Sequence, residues 1–188
     1  MSEPVGFPGG ERASTMSEPV GFPGGERADL LASLGRQRQF LRNTTRGLTD
    51  EQAAARTTVS ALCLGGLIKH VGLVERQWCR FIVEGPMAMS GDPAAAAQSW
   101  ADQFRMLDGE TLAGLLAGYE EIARQTDKLV AGLPDLDAAQ PLPKAPWFEP
   151  GAQWSARRVM LHLIAEIAQH AGHADIIREA LDGAKSMG

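Results

Sequence analysis

The chain has 188 residues, 44% hydrophobic and 22% charged, enough for one globular domain with a buried core. Its 18 Lys and Arg stand against 23 Asp and Glu for a net charge of −5, which leaves no electrostatic basis for tight binding to nucleic acid or an anionic membrane surface. No apolar stretch reaches the roughly 20 residues of a transmembrane helix, and no basic segment followed by an apolar core opens the chain, so the expected location is the cytoplasm.

Residues 1–13, MSEPVGFPGGERA, recur unchanged as residues 16–28. An exact short repeat rich in Pro and Gly has no amphipathic face, so residues 1–28 are expected to be disordered and residues 29–188 to form the domain. From Ala28 the pattern turns helical. Leu30, Leu34, Gln37 and Leu41 trace one face of a first helix that ends near Gly47, with Leu31 and Phe40 beside it. Thr49 to Gln52 reads as a capping box opening a short helical turn.

A second long helix is predicted from an N-cap at Ser60 to Glu84, where Gly85-Pro86 stops it. Residues 92–104 read as a short connecting helix. A third long helix runs from about Glu110 to Ala131, ended by Gly132 and Pro134. The Pro-rich residues 133–153 then form a long crossover loop, and a fourth helix runs from Ser155 to Leu181, closed by Gly183. No window alternates with period two, so no strand is predicted. The expected fold is all-α, a four-helix bundle with a long crossover before its last helix.

The stretch EIAQHAGHAD, residues 166–175, carries the chemistry. At about 100° per residue, His162, Glu166, His170 and His173 share an arc of about 80° with Val159 and Ile177, while Arg157, Ile164, Asp175 and Arg178 lie opposite. A carboxylate in an apolar stripe needs a partner. On the second helix, His70 follows the i, i+3, i+4 register of Leu67, Val71, Val74, Trp78 and Phe81 and so points inward.

Two readings stand for each group. His70 is a satisfied core histidine or a ligand; Glu166 and His170 are a helical i, i+4 ion pair or a donor pair. Together, neutral imidazoles and a carboxylate suit Zn²⁺, and also Ni²⁺ or Fe²⁺. The expected set is His70, Glu166 and His170, with donors about 2.0–2.2 Å from a zinc-like ion. His162 and His173 are the catalytic candidates, as residues that orient the ligands or line the cavity.

Arg157 and Arg158 sit in the first turn of the last helix, where its dipole disfavours cations. They read as a surface ion pair with Glu149 or as an anion site, with Arg158 the residue for a cosubstrate. Gly65 and Gly66 follow no strand and so form no phosphate loop. Trp78, Trp100, Trp147 and Trp154 read as core or loop packing. Cys63 and Cys79, about 24 Å apart along one helix, are expected to be reduced.

The stretches GLTDEQ, SALCLGGLIKHVGLVERQW, LDGETLAGLLAGYEEI and RRVMLHLIAEIAQHAGHADIIREALDG together cover most of residues 29–184. In this order they resemble the DinB/YfiT-like superfamily, and within it the subgroup of mycothiol-dependent S-transferases and maleylpyruvate isomerases. The resemblance implies a four-helix bundle with a divalent metal held by a histidine of the second helix and an i, i+4 pair of the last. The matching positions are His70, Glu166 and His170. Glu166 stands where many relatives have histidine, as in the isomerase branch, and His173 falls where others often have glutamine. The extra C-terminal domain of the isomerase is not expected here.

Three protein ligands leave a coordination position open, the pattern of catalytic zinc. The expected activity is therefore metal-dependent transfer of a low-molecular-weight thiol, of the mycothiol type that the resemblance implies, to a small electrophile. A metal-dependent hydrolase and a non-catalytic ligand-binding protein of the stress response are the alternatives. The expected partners are a small-molecule substrate and a second copy of the chain in a homodimer.

Overall fold

The computed structural model describes residues 24–90 and 100–186. The fold is all-α. Helix α1 spans Gly25–Asn43, a short α2 spans Asp50–Ala54 and α3 spans Leu64–Glu84, which runs into a 3-10 turn over Gly85–Met89. Helix α4 spans Leu112–Gly132 and α5 spans Ala156–Asp182. Packing runs α1 to α5, α5 to α3, α3 to α4 and α4 back to α1, which closes a four-helix ring. Within it, α1 lies diagonally from α3 and α4 from α5. No helix among the described residues is long and apolar enough to cross a membrane.

The caps follow local chemistry. Thr49 and Gln52 form the capping box read from sequence. Thr111 Oγ1 accepts from Gly114 N and Ser155 Oγ from Arg158 N, while Gly183 ends α5 at φ 78°, a conformation that favours glycine. Helix α3, however, starts later than predicted. Ser60 spends its hydroxyl on Leu62 N, two residues on, and the N-cap is Cys63, whose sulfur accepts from Gly66 N at 3.4 Å.

Two further expectations change. Helix α1 begins at Gly25, inside the repeated segment: Glu26 pairs with Arg157 and Arg27 donates to Ala131 O at 3.1 Å. Residues 25–28 are thus part of the bundle, and the expectation for residues 1–23 lies outside the described residues. The same holds for residues 92–99 of the connecting helix, of which residues 100–102 are helical. In the crossover, strands β1 (Ala139–Pro141) and β2 (Gln153–Ser155) pair antiparallel, with Gln140 opposite Trp154. Three residues are too few to show a period of two, so the sequence carried no signal for them.

Core packing also rotates α1 from its predicted face. Arg38, rather than Gln37, joins Leu30, Leu34 and Leu41 inside. Its guanidinium reaches across the diagonal to the fully buried Glu75 of α3, with Nε 3.1 Å from Oε2, and to Asp127 of α4 at 2.8 Å. Burial works against the charge on Arg38, but the two carboxylates outweigh it and raise its pKa.

Gly65 and Gly66 have a packing role. A Cβ at Gly65 would meet the Met106 side chain, 2.3 Å from Sδ, and one at Gly66 would lie 2.0 Å from Phe104 O, so only glycine at residue 66 lets the backbone of residues 104 and 105 rest on the first turn of α3.

Two stability measurements test this packing. Arg38→Met leaves the Glu75 carboxylate buried without its partner and should lower the urea unfolding free energy by about 3–5 kcal/mol, whereas adding Glu75→Leu should recover much of it; equal losses in both variants would contradict the pairing. Gly66→Ala, with no donor or ligand touched, should cost about 1–3 kcal/mol, and an unchanged urea midpoint would contradict the close approach.

Candidate metal centre

Helix α5 presents its polar residues on one flank of its buried face. The fully buried positions Val159, Met160, Leu163, Ile167, Ala171, Ala174 and Ile177 centre about 80° around the helix from the histidine stripe. His162, Glu166, His170 and His173 are half-buried beside them. The predicted opposite side is also partly covered, for Arg178 donates to Thr44 O and Arg46 O at 2.8 and 2.9 Å. The exposed face is the one that carries Leu161, Ala165, Gln169, Gly172 and Ile176.

His70 of α3, 2% exposed, meets this flank. Its Nε2 lies 3.4 Å from Glu166 Oε1, and His170 Nε2 lies 3.3 Å from the same oxygen. The two imidazole rings are 4.7 Å apart and nearly perpendicular. One donor atom from each of the three side chains falls within 4.8 Å of the others. The hydrogen bond from His170 is the leading cause that holds the Glu166 carboxyl far below the usual carboxylate range, against the opposing effect of burial.

This donor set suits a divalent cation. Two nitrogens and an ionised oxygen are ligands that zinc accepts, and donors bound at about 2.0–2.2 Å with tetrahedral angles stand about 3.3–3.6 Å apart, as His70 and His170 stand from Glu166. The chemistry of the set leaves the choice of ion open.

The remaining candidates divide by position. His173 Nδ1 lies 3.5 Å from His170 Nδ1, behind the ring edge that faces Glu166. His162, one turn before Glu166, stands edge-on to Trp78 and Trp154, at 4.8 and 5.2 Å, and those two indoles stack at 4.7 Å. Burial pushes the His162 pKa below its ordinary 6.5, helped by Arg158 and opposed by Glu166. Arg158 is exposed, its guanidinium 5.0 Å from the centre of the Trp154 ring. The Glu149 pair is not formed: Arg157 binds Glu26 and Asp137, because the start of α5 is held back against residues 136–138, with Ala156 N donating to Ala138 O and Arg157 N to Leu136 O.

Sequence reasoning missed two contacts of His70. Gln103 Oε1 lies 2.9 Å from His70 Nδ1, and Phe104 stacks on the ring at 4.2 Å. The i, i+3, i+4 spacing of Trp100, Gln103 and Phe104 was the available signal. Trp100 meets the same imidazole edge-on at 6.1 Å and is otherwise 62% exposed, while Trp147 is 76% exposed, so neither is core packing.

The class is an all-helical bundle in which a carboxylate and two imidazoles meet between adjacent helices, a cluster compatible with a divalent metal. A family model described as mycothiol-S-transferase matches residues 29–183, and the chain belongs to that family. No curated protein matches it in sequence.

The aromatic setting of His162 is open to measurement. In the chelated protein its ring should titrate below 6.5 by NMR, and a value at or above 6.5 would contradict the burial argument. Because its folded pKa lies below the unfolded one, its contribution to stability is complete above about pH 6.5 and is lost as pH falls. His162→Phe should therefore flatten stability on the acid side.

Proposed function

We propose that the protein is a divalent-metal-dependent thiol S-transferase acting on small electrophiles, with His70, Glu166 and His170 as the metal ligands and zinc as the ion. The observation that carries the reading is the convergence of these three donors from two helices in a chain of the mycothiol S-transferase family. When bound, the cation supplies Lewis acidity at an open position, where it lowers the pKa of a thiol.

The chain's own residues supply the rest. Glu166 is ionised without the cation and so offers a charged donor at neutral pH. His173 sits where it holds the outer nitrogen of His170. His162, kept neutral by burial at pH 7, is the group we assign to accept the thiol proton. The sulfur then forms the new carbon–sulfur bond as the leaving group departs with its electron pair. Arg158, exposed over Trp154, is positioned to hold an anionic group of the cosubstrate.

The thiol comes from a cosubstrate in this reading. Burial pushes the Cys79 thiol up to about 12, against a 3.3 Å contact with Thr126 Oγ1 that favours the thiolate. Cys63 is engaged as the N-cap of α3. We place the reaction in the cytoplasm, where small thiols are kept reduced and both free cysteines need no partner.

His170→Ala should lose both the bound metal and transfer of mycothiol to a panel of electrophiles. His173→Ala and His162→Gln should keep about one equivalent of metal and lose about ten- to a hundredfold in kcat. Metal analysis and steady-state rates before and after chelation decide it. Turnover indifferent to chelation, or hydrolysis in the absence of any thiol, would overturn the transferase assignment.

A further inference from the structure

We infer that Gln103 is a positioning residue for this centre: its side-chain oxygen holds the proton of His70 on Nδ1 and leaves the Nε2 lone pair facing the Glu166 and His170 donors. The inference rests on the metal-dependent reading above.

A carboxamide oxygen only accepts, so the 2.9 Å contact between Gln103 Oε1 and His70 Nδ1 requires Nδ1 to donate. The neutral ring then has no proton on Nε2, the nitrogen 3.4 Å from Glu166 Oε1. That is the tautomer a ligating histidine needs. In the other tautomer Nε2–H would donate to Glu166, and the two side chains would form a hydrogen bond in place of a donor pair. His70 is buried, so water is poorly placed to take over the choice.

The segment that brings Gln103 is itself fixed. Phe104 stacks on the imidazole with its plane inclined by 28°, its carbonyl rests on Gly66, and Lys69 pairs with Glu110 at 2.7 Å just beyond. Gln103 thus reaches His70 from a third element, independent of the two helices that carry the donors.

Long-range ¹H–¹⁵N spectra of the chelated protein read the tautomer, and competition with a chromophoric chelator reads zinc affinity. In the wild type Nδ1 of His70 should carry the proton. Gln103→Leu should move it toward Nε2 and weaken zinc binding by about ten- to a hundredfold, while Gln103→Glu, which still accepts, should hold the wild-type tautomer and affinity. Should Gln103→Leu not fold, Gln103→Met takes its place, with the chelated protein's thermal midpoint as the check. An Nε2–H tautomer in the wild type, or zinc bound as tightly by Gln103→Leu, overturns this inference alone. A wild-type protein that binds no zinc overturns the proposed function with it.

Discussion

The absence of side chains at Gly65 and Gly66 is the constraint on which the centre's surroundings depend. Backbone of Phe104 and Arg105 lies where a Cβ on Gly66 would otherwise stand, and the Met106 side chain where one on Gly65 would. Because those glycines occupy the first turn of α3 and His70 the next, whatever rests on the glycines also reaches the imidazole. Gln103, Phe104 and Trp100 arrive there together. Two glycines that weaken the start of a helix by their entropy are thereby used to close a shell around a buried ring.

Helix α3 carries two polar clusters, and their different physics separates structure from chemistry. Glu75 is fully buried and answered by Arg38 in a fork geometry, with Asp127 on the far side. That arrangement satisfies its charges internally and links α1, α3 and α4. Five residues earlier, His70 faces α5 and meets a carboxylate already shared with His170. One oxygen lies between two nitrogens at 3.3–3.4 Å, and one donor atom of each side chain falls within 4.8 Å of the others. The first cluster is complete as it stands; the second is compatible with a divalent metal.

On α5 the functional groups lie at the border between core and solvent. A fully buried stripe would desolvate Glu166 beyond what two imidazoles repay, and an exposed one would leave the donors mobile and hydrated. The flank position gives partial burial, which lowers the His162 pKa while the Glu166 carboxylate stays ionised. Register sets the spacing: Trp154, Arg158, His162, Glu166 and His170 follow at intervals of four, from the cation over an indole to the donor pair.

Local chemistry accounts for what was legible in the sequence. The bundle, the long crossover, the capping box at Thr49, the stop at Gly183 and the shared stripe of Glu166 and His170 all depend on spacings of a few residues. The inward direction of His70 followed in the same way from its neighbours on α3. What the sequence left open depends on how helices rotate about their axes and on where irregular segments land, which is set by packing between residues far apart in the chain. Arg38 replaced Gln37 because Glu75 and Asp127 lie across the bundle. Arg157 met Glu26 and Asp137 because a two-stranded ribbon folds the crossover back. Gln103 reached His70 because Gly66 lets the Phe104 backbone in; the spacing of Trp100, Gln103 and Phe104 groups the three residues but does not say which element they meet.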